Sequence, residues 1–357
     1  MTRILQITKK RLNLAMTARI VLILVSIGLL VRFVLVSLPE VKSSLVELKD
    51  GDAIFLWVAV AMEVVWTFAL SQVYRSGLKG FGGQVTRRSA LRISMASFSI
   101  SRIVPGGGAA GSAWAAREFV KEGNTAPRTV MSMMASWWIS MTGLAVVVTS
   151  AIGVSVALGK ISAIYLTGPG ATLVIFVGGG IVIGRLISSP RFRARLASRV
   201  GPALKRFDMT SEDFETELSE VASNLRIRNL IPIGGWAILS WVVDAAALGL
   251  TFAAFGSTLG VGVLMVGYGL ANLISALPEL TPGWLGVLEA TLAGTYGAFG
   301  VPAGTAVLAV LAYRLVSYWL PVFVGLIPAA SAIRSGKSKR RSRIVRRVRA
   351  FVPAWSR

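Results

Sequence analysis

Leu277-Pro278-Glu279-Leu280-Thr281-Pro282-Gly283-Trp284-Leu285-Gly286-Val287-Leu288-Glu289 lies deep in an apolar run, yet it carries two prolines, two glycines and two carboxylates. No membrane helix passes through it unbroken. Each proline removes an N–H and crowds the preceding turn, and Pro282 pushes Thr281 out of the α region. Lipid offers the freed backbone groups no water. Such a break survives at membrane depth only where it is buried in protein or lines a polar cavity. The stretch is therefore expected to form one wall of a functional site.

Composition supports a membrane setting. The chain has 357 residues, 54% hydrophobic and 15% charged, with a mean hydropathy of +0.68; soluble chains run about 45–50% apolar and about a quarter charged. Several runs reach the ~20 residues that a bilayer core requires. Formal net charge is +22, which in a soluble protein points to nucleic acid. Here the basic residues cluster between apolar runs, as in cytoplasmic loops, so anionic lipid headgroups are the expected partner and nucleic acid is not. The chain has no cysteine and no histidine. That removes disulfides, thiolate nucleophiles, imidazole ligands and any Ser-His-Asp arrangement. No metal or cofactor is expected.

Taken in order, the sequence predicts an all-α polytopic membrane protein with about six full transmembrane helices, at 17–38, 53–73, 130–150, 161–187, 230–255 and 303–333. The first is a retained helix after a basic terminus at 1–16, because it exceeds a secretory h-region of about 7–15 residues and ends in no A-x-A-like site. Two pairs of half-length segments add broken or re-entrant helical hairpins: 89–104 with 109–119 around Pro105-Gly106-Gly107-Gly108, and 261–276 with 285–299 around the opening stretch. The alternative for the first pair is a single kinked span followed by an interfacial helix.

The acidic 39–52 loop fits the outer side. The 188–229 loop fits the inner side, with a basic first half and an acidic helix in its second. There Thr210 is the expected N-cap, and Phe214, Leu218, Val221 and Leu225 form one stripe. Gly178-Gly179-Gly180 is expected to allow close helix contact. The 334–357 tail is basic and amphipathic, suited to a membrane surface. Both termini then lie in the cytoplasm of a multi-pass cell-membrane protein. Three spans and a hairpin in each half, in opposite orientation, form an inverted repeat.

Intramembrane charges are few: Glu63, Arg102, Asp244, Glu279, Glu289 and Arg314. Each needs a partner or water, since an ionisable group in a span costs roughly 2.5–3.5 kcal/mol on insertion scales. Arg314 stays charged, and its planar fork suits phosphate or carboxylate. Two readings stand for it: lining a polar path, or locking helices through Glu289 or Glu279. Glu63 and Asp244 are candidate proton carriers or hydrogen-bonded struts. Gly106, Gly107, Gly283 and Gly286, beside Pro105 and Pro282, expose backbone N–H groups at half-helix ends, which favour anions. No G-x-x-x-x-G-K-[ST] follows Gly106-Gly107-Gly108, so a nucleotide-driven pump within this chain is excluded.

Pro282-Gly283-Trp284-Leu285-Gly286-Val287-Leu288-Glu289, then Gly300-Val301-Pro302, Ala312-Tyr313-Arg314-Leu315, Tyr318-Trp319-Leu320-Pro321 and Gly325 together resemble the membrane module of lysylphosphatidylglycerol synthases and its stand-alone flippase-like relatives. The Val104-to-Gly111 block, with Gly123, is similar to that family's first-half motif. The resemblance runs over about 15–333. Trp284 departs from it, standing where the family usually has a second glycine. No aminoacyl-transferase domain follows the last span and no glycosyltransferase domain precedes the first, so the resemblance implies the translocating module and assigns Glu289 and Arg314 to its cavity.

The expected function is a non-enzymatic lipid flippase or lipid-transport protein that moves an anionic phospholipid or polyprenyl-phosphate headgroup between leaflets. Arg314 and Arg102 would bind phosphate, and Arg314→Gln would abolish transport while the protein still folds. The alternative is a membrane scaffold for a separately encoded glycosyltransferase or lipid synthase.

Overall fold

The computed structural model describes residues 53–103, 107–204, 210–224, 226–276 and 282–330. The predicted first span, the 39–52 loop, Val104 to Gly106, Leu277 to Thr281 with Glu279, Leu225 and the 334–357 tail lie outside the described residues, as does the side chain of Phe214. Numbering from the first described helix gives α1 (Ala53–Gly80), α2 (Arg87–Ile103), α3 (Gly107–Lys121), α4 (Ala126–Ala157), α5 (Thr167–Ser188, preceded by the 3-10 turn Ala163–Leu166), α6 (Pro190–Leu204) and α7 (Ser211–Ser223). They are followed by α8 (Ile227–Ala254), α9 (Val261–Ser275), a 3-10 turn (Pro282–Trp284), α10 (Val287–Ala298) and α11 (Ala303–Arg314). A π-turn at Leu315–Trp319 carries α11 onward. Five helical stretches among the described residues are long and apolar enough to cross a bilayer: Ala53–Gly80, Ala126–Ala157, Ala163–Ser188, Ile227–Ala254 and Ala303–Ala330. The protein is an all-helical polytopic membrane protein.

α1 and α8 form the central pair. Gly80 at the end of α1 sits against Asn229 at the start of α8, 3.2 Å from its carbonyl oxygen by the position a Cβ would take. The two helices are therefore antiparallel. Their opposite ends lead into the two hairpins, so α2–α3 and α9–α10 must open to opposite sides.

Both hairpins are re-entrant in shape. α2 and α3 have 17 and 15 residues, about 26 and 23 Å at 1.5 Å per residue, short of a ~30 Å hydrocarbon core. They pack against each other. Arg92, early in α2, pairs with Glu122, just past α3, at 3.3 Å, so both open ends lie on one side and a single kinked span is excluded. Near the apex, a Cβ on Gly111 would run into Ser101 Oγ and come within 2.5 Å of Ser97 O; glycine there sets the helix separation. The second hairpin repeats the geometry. Tyr296, near the end of α10, donates its hydroxyl to Leu264 O at the start of α9 (2.9 Å), and its ring lies on Gly267. Opposed hairpins are the pattern of an inverted repeat.

The helix boundaries extend past the sequence estimates where packing continues. α1 runs on to Gly80 because Gly77 and Leu78 are buried, Gly77 against Ser132 and Ser136 of α4. Trp138 of α4 lies over Gly179 and Gly180 and donates Nε1 to Phe176 O (2.8 Å), so that glycine run does allow close contact. The basic half of the 188–229 segment is itself helical, as α6. α7 begins directly after Thr210, as the capping signal indicated. It is more than a solvated face. Arg128 at the start of α4 pairs with Glu217 (3.2 Å) and Glu220, and Leu218 and Val221 are buried.

Candidate functional site

One arm of the first hairpin and the Pro282–Trp284 turn of the second meet around one side chain. α2, the arm that leads to the first apex, packs against the Pro282–Trp284 turn of the second. Tyr318 closes the junction: its hydroxyl donates to Arg102 O (3.3 Å) and its ring covers Gly283. Two guanidinium groups face that ring, Arg314 at 4.3 Å and Arg102 at 5.6 Å, with Arg102 also 5.0 Å from Phe98. Both contacts are of cation–π type. α11 reaches this point through the π-turn, whose extra residue per turn re-aims side chains; such turns are frequent at functional sites.

The second apex is locked. Gly283 and Gly286 take φ of 57° and 83°, and Trp284 takes 55°. Glycine adopts this left-handed region freely, whereas a bulky residue there is strained by roughly 1–3 kcal/mol. That accounts for a second glycine in the related motif. In this chain Trp284 offsets the strain by burial; it is 5% exposed and belongs to the core that holds Tyr268, Leu288 and Tyr296. Glu289, in the first turn of α10, accepts the Gly286 N–H on Oε2 (2.7 Å) and Arg314 Nε on Oε1 (2.7 Å). Arg314 Nη2 donates to Gly283 O (2.9 Å). One arginine thus holds the turn, the helix start and the carboxylate together, with Arg314 7% and Glu289 2% exposed. A negative side chain at this position also complements the α10 N-terminus.

Beside this lock lies a cavity of about 220 Å³. Arg102, Arg314, Asp244, Asn272, Ser275 and Ser317 supply polar groups to its wall, as do Tyr268, Tyr313 and Tyr318; Trp66, Phe98, Trp137, Trp241, Leu288 and Leu292 supply apolar surface. At Trp137, 46% exposed, it reaches the outer surface of the bundle. Asp244 accepts Tyr313 Oη on Oδ1 and Tyr268 Oη on Oδ2, both at 2.7 Å. Its carboxyl also faces that of Glu63 on α1 and feels the charge of Arg102.

The structure brings together Arg314, Glu289, Gly283, Gly286, Arg102, Asp244 and Glu63. Both readings of Arg314 hold at once: it pairs with Glu289 and it lines the cavity. Glu289 lies behind Arg314 with both oxygens engaged, so it acts on the cavity through the arginine. Pro282 opens the 3-10 turn and Gly107 starts α3; Pro105 and Gly106 are not among the described residues. The tyrosines were not assigned roles from sequence. Tyr268, Asn272 and Ser275 stand at i, i+4 and i+7 of an otherwise apolar helix, a signal that was available.

Residues 18–325 match the family model described as the lysylphosphatidylglycerol synthase TM region. Three proteins of Methanothermobacter thermautotrophicus, each named a UPF0104 membrane protein, are similar over shorter stretches. The chain is 28% identical to one over 144 residues (37% of this chain, 43% of the relative). It is 29% identical to a second over 132 residues (37% and 36%) and 35% identical to a third over 103 residues (29% and 29%). The matched part spans less than half of each relative's length. By the match that runs from the first predicted span to the last, the chain belongs to the lysylphosphatidylglycerol synthase transmembrane-region family.

Proposed function

We propose that this membrane protein moves a lipid with an anionic, phosphate-bearing headgroup between leaflets, with the headgroup held in the cavity at the two apices. The observation that carries the reading is the pair of arginines on one tyrosine ring, Arg102 and Arg314, in a cavity that opens sideways onto apolar surface at Trp137. Two guanidinium groups beside one ring place cationic donors at the cavity wall, with Glu289 balancing the charge of Arg314 from behind. Arginine suits phosphate through its planar array of donors. Arg314 Nε and Nη2 hold the apex; Nη1 has no hydrogen-bond partner among the described residues and is the nitrogen that would meet a phosphate oxygen. Asn272 supplies a neutral donor through the second hydrogen of its amide, and Ser317 adds a hydroxyl to the same wall. A volume of about 220 Å³ accepts a headgroup and leaves the acyl or polyprenyl tails outside in lipid.

The family description names a lysylphosphatidylglycerol synthase, which supports a phosphatidylglycerol-type headgroup as one candidate beside polyprenyl phosphates. Opposed hairpins supply the alternating element: loosening one apex while the other holds would expose the same cavity to either side. The test is translocation in proteoliposomes, with labelled phosphatidylglycerol, lysylphosphatidylglycerol, polyprenyl phosphate and phosphatidylcholine read by a membrane-impermeant quencher. Protein-dependent movement of the phosphate-bearing anionic lipids, with phosphatidylcholine unmoved, is expected. Movement of none of them by folded protein would overturn the reading, and a pull-down for a membrane-associated synthase or glycosyltransferase would follow.

A further inference from the structure

Glu63 on α1 is a polar group that headgroup recognition does not use. It is 1% exposed, and neither carboxyl oxygen receives a hydrogen bond from any described residue. Its carboxyl faces that of Asp244 on α8. Asp244 has both oxygens engaged, by Tyr268 of α9 and Tyr313 of α11. With both acids ionised, two acceptors would meet and Glu63 would be a buried charge with no donor, an arrangement that is strongly unfavourable. One proton between them turns that contact into an O–H···O hydrogen bond, because a protonated carboxyl is a donor as well as an acceptor. The charged group acting on the pair from a further element is Arg102 of α2, through Asp244. A divalent metal is the poorer occupant, since magnesium or calcium takes six or more oxygens, and no cluster of three or more acidic ligands occurs among the described residues.

We propose that Glu63 and Asp244 form a proton-binding site that opens into the cavity at Asp244 and is linked to headgroup binding through Arg102. The linkage rests on the proposed headgroup site; the proton site rests on the carboxyl geometry alone. Its sign follows from charge. An anion on Arg102 offsets the positive charge that acts on Asp244, so headgroup binding favours proton uptake. By reciprocity, the proton favours headgroup binding by the same factor. Headgroup and proton then travel together, and a proton gradient across the membrane becomes an energy source for lipid movement.

Two measurements on the full-length protein decide this. Infrared difference spectra of wild type against Glu63→Gln should show the loss of a carboxylic-acid C=O band that shifts in D2O. Glu63→Gln is the conservative choice because its amide supplies Asp244 with a donor; Asp244→Asn should remove the same band. No such band in wild type overturns the site. In weakly buffered solution, dihexanoyl phosphatidylglycerol should bind with proton uptake in wild type and bind without it in Glu63→Gln. Binding to wild type with no uptake overturns the linkage. A clear carboxylic-acid band with no binding of phosphatidylglycerol or polyprenyl phosphate overturns the headgroup reading and leaves the proton site standing.

Discussion

The two hairpins have opposed orientations and nearly matching arm lengths, but they are held in place by different physics. The α9–α10 apex is stapled by a buried ion pair: Arg314 grips Glu289 and the Gly283 carbonyl, and Glu289 caps α10 at Gly286. The α2–α3 hairpin relies on close approach, with Gly111 against Ser97 and Ser101, and Ser99 donating to Val322 O at 2.8 Å on the helix that continues beyond the π-turn. A staple with a desolvated charge at each end is hard to open part-way, because removing one partner strands the other. Small-residue contacts separate gradually. The first hairpin is therefore expected to separate from its neighbours at lower cost than the second.

Breaking the staple should have the largest effect on stability. Glu289→Ala leaves Arg314 buried without its carboxylate and removes the α10 cap, a loss of about 3–5 kcal/mol, visible as a large fall in unfolding midpoint in detergent. Glu289→Gln keeps an acceptor for the Gly286 N–H and should recover part of that. If Glu289→Ala leaves stability unchanged, the contrast between the apices fails. The same reasoning revises the expectation for Arg314→Gln. That variant strands Glu289, so lost transport in it would mix site and fold effects.

Trp284→Gly sharpens the comparison by pitting two terms against each other. Relief of the left-handed backbone returns about 1 kcal/mol or more, while loss of a buried tryptophan costs about 3–5 kcal/mol. The account expects a net loss of about 2–3 kcal/mol, measured by the same denaturation. A stabilised variant would mean that the strain at φ 55° outweighs the packing. On the other hairpin, Gly111→Val inserts methyl groups between α2 and α3, where overpacking costs about 1–3 kcal/mol. Cross-linking between cysteines introduced at residues 92 and 122, in a chain with no natural cysteine, should fall in that variant. The smallest effect belongs to Tyr318→Phe. It removes the hydroxyl bond to Arg102 O and should lower stability by about 0.5–1.5 kcal/mol, while leaving the ring that both arginines face.

How much of this was legible beforehand depended on whether the signal was local. The break at Pro282-Gly283 and the isolated charges Glu63, Asp244, Glu289 and Arg314 stand out in an apolar sequence because a membrane tolerates neither without a reason. The half-length arms of both hairpins were readable for the same cause. For Arg314 the partner was readable as Glu289 or Glu279, and Glu289 is the one it meets; for Glu63 it was not, since Asp244 is 181 positions away, on a helix that packs against α1 only after folding. Tyr318 was hidden because the π-turn at Leu315–Trp319 shifts the phase that a 3.6-residue period assumes. α6 was read as a basic stretch because its arginines mask a helical pattern whose buried contact is Ala197.

The claim at the centre is that two arginines in a shared cavity carry an anionic headgroup across, and Arg102→Gln tests it most directly. Arg102 lines the cavity but takes no part in the Glu289 lock, so its substitution leaves that staple intact while changing its ring contacts with Phe98 and Tyr318, each about 0.5–2 kcal/mol. In the proteoliposome assay, the account predicts that folded Arg102→Gln protein moves phosphate-bearing lipid at least tenfold more slowly than wild type, the effect of losing about 1.4 kcal/mol of charge stabilisation. Undiminished translocation in that variant would contradict the account.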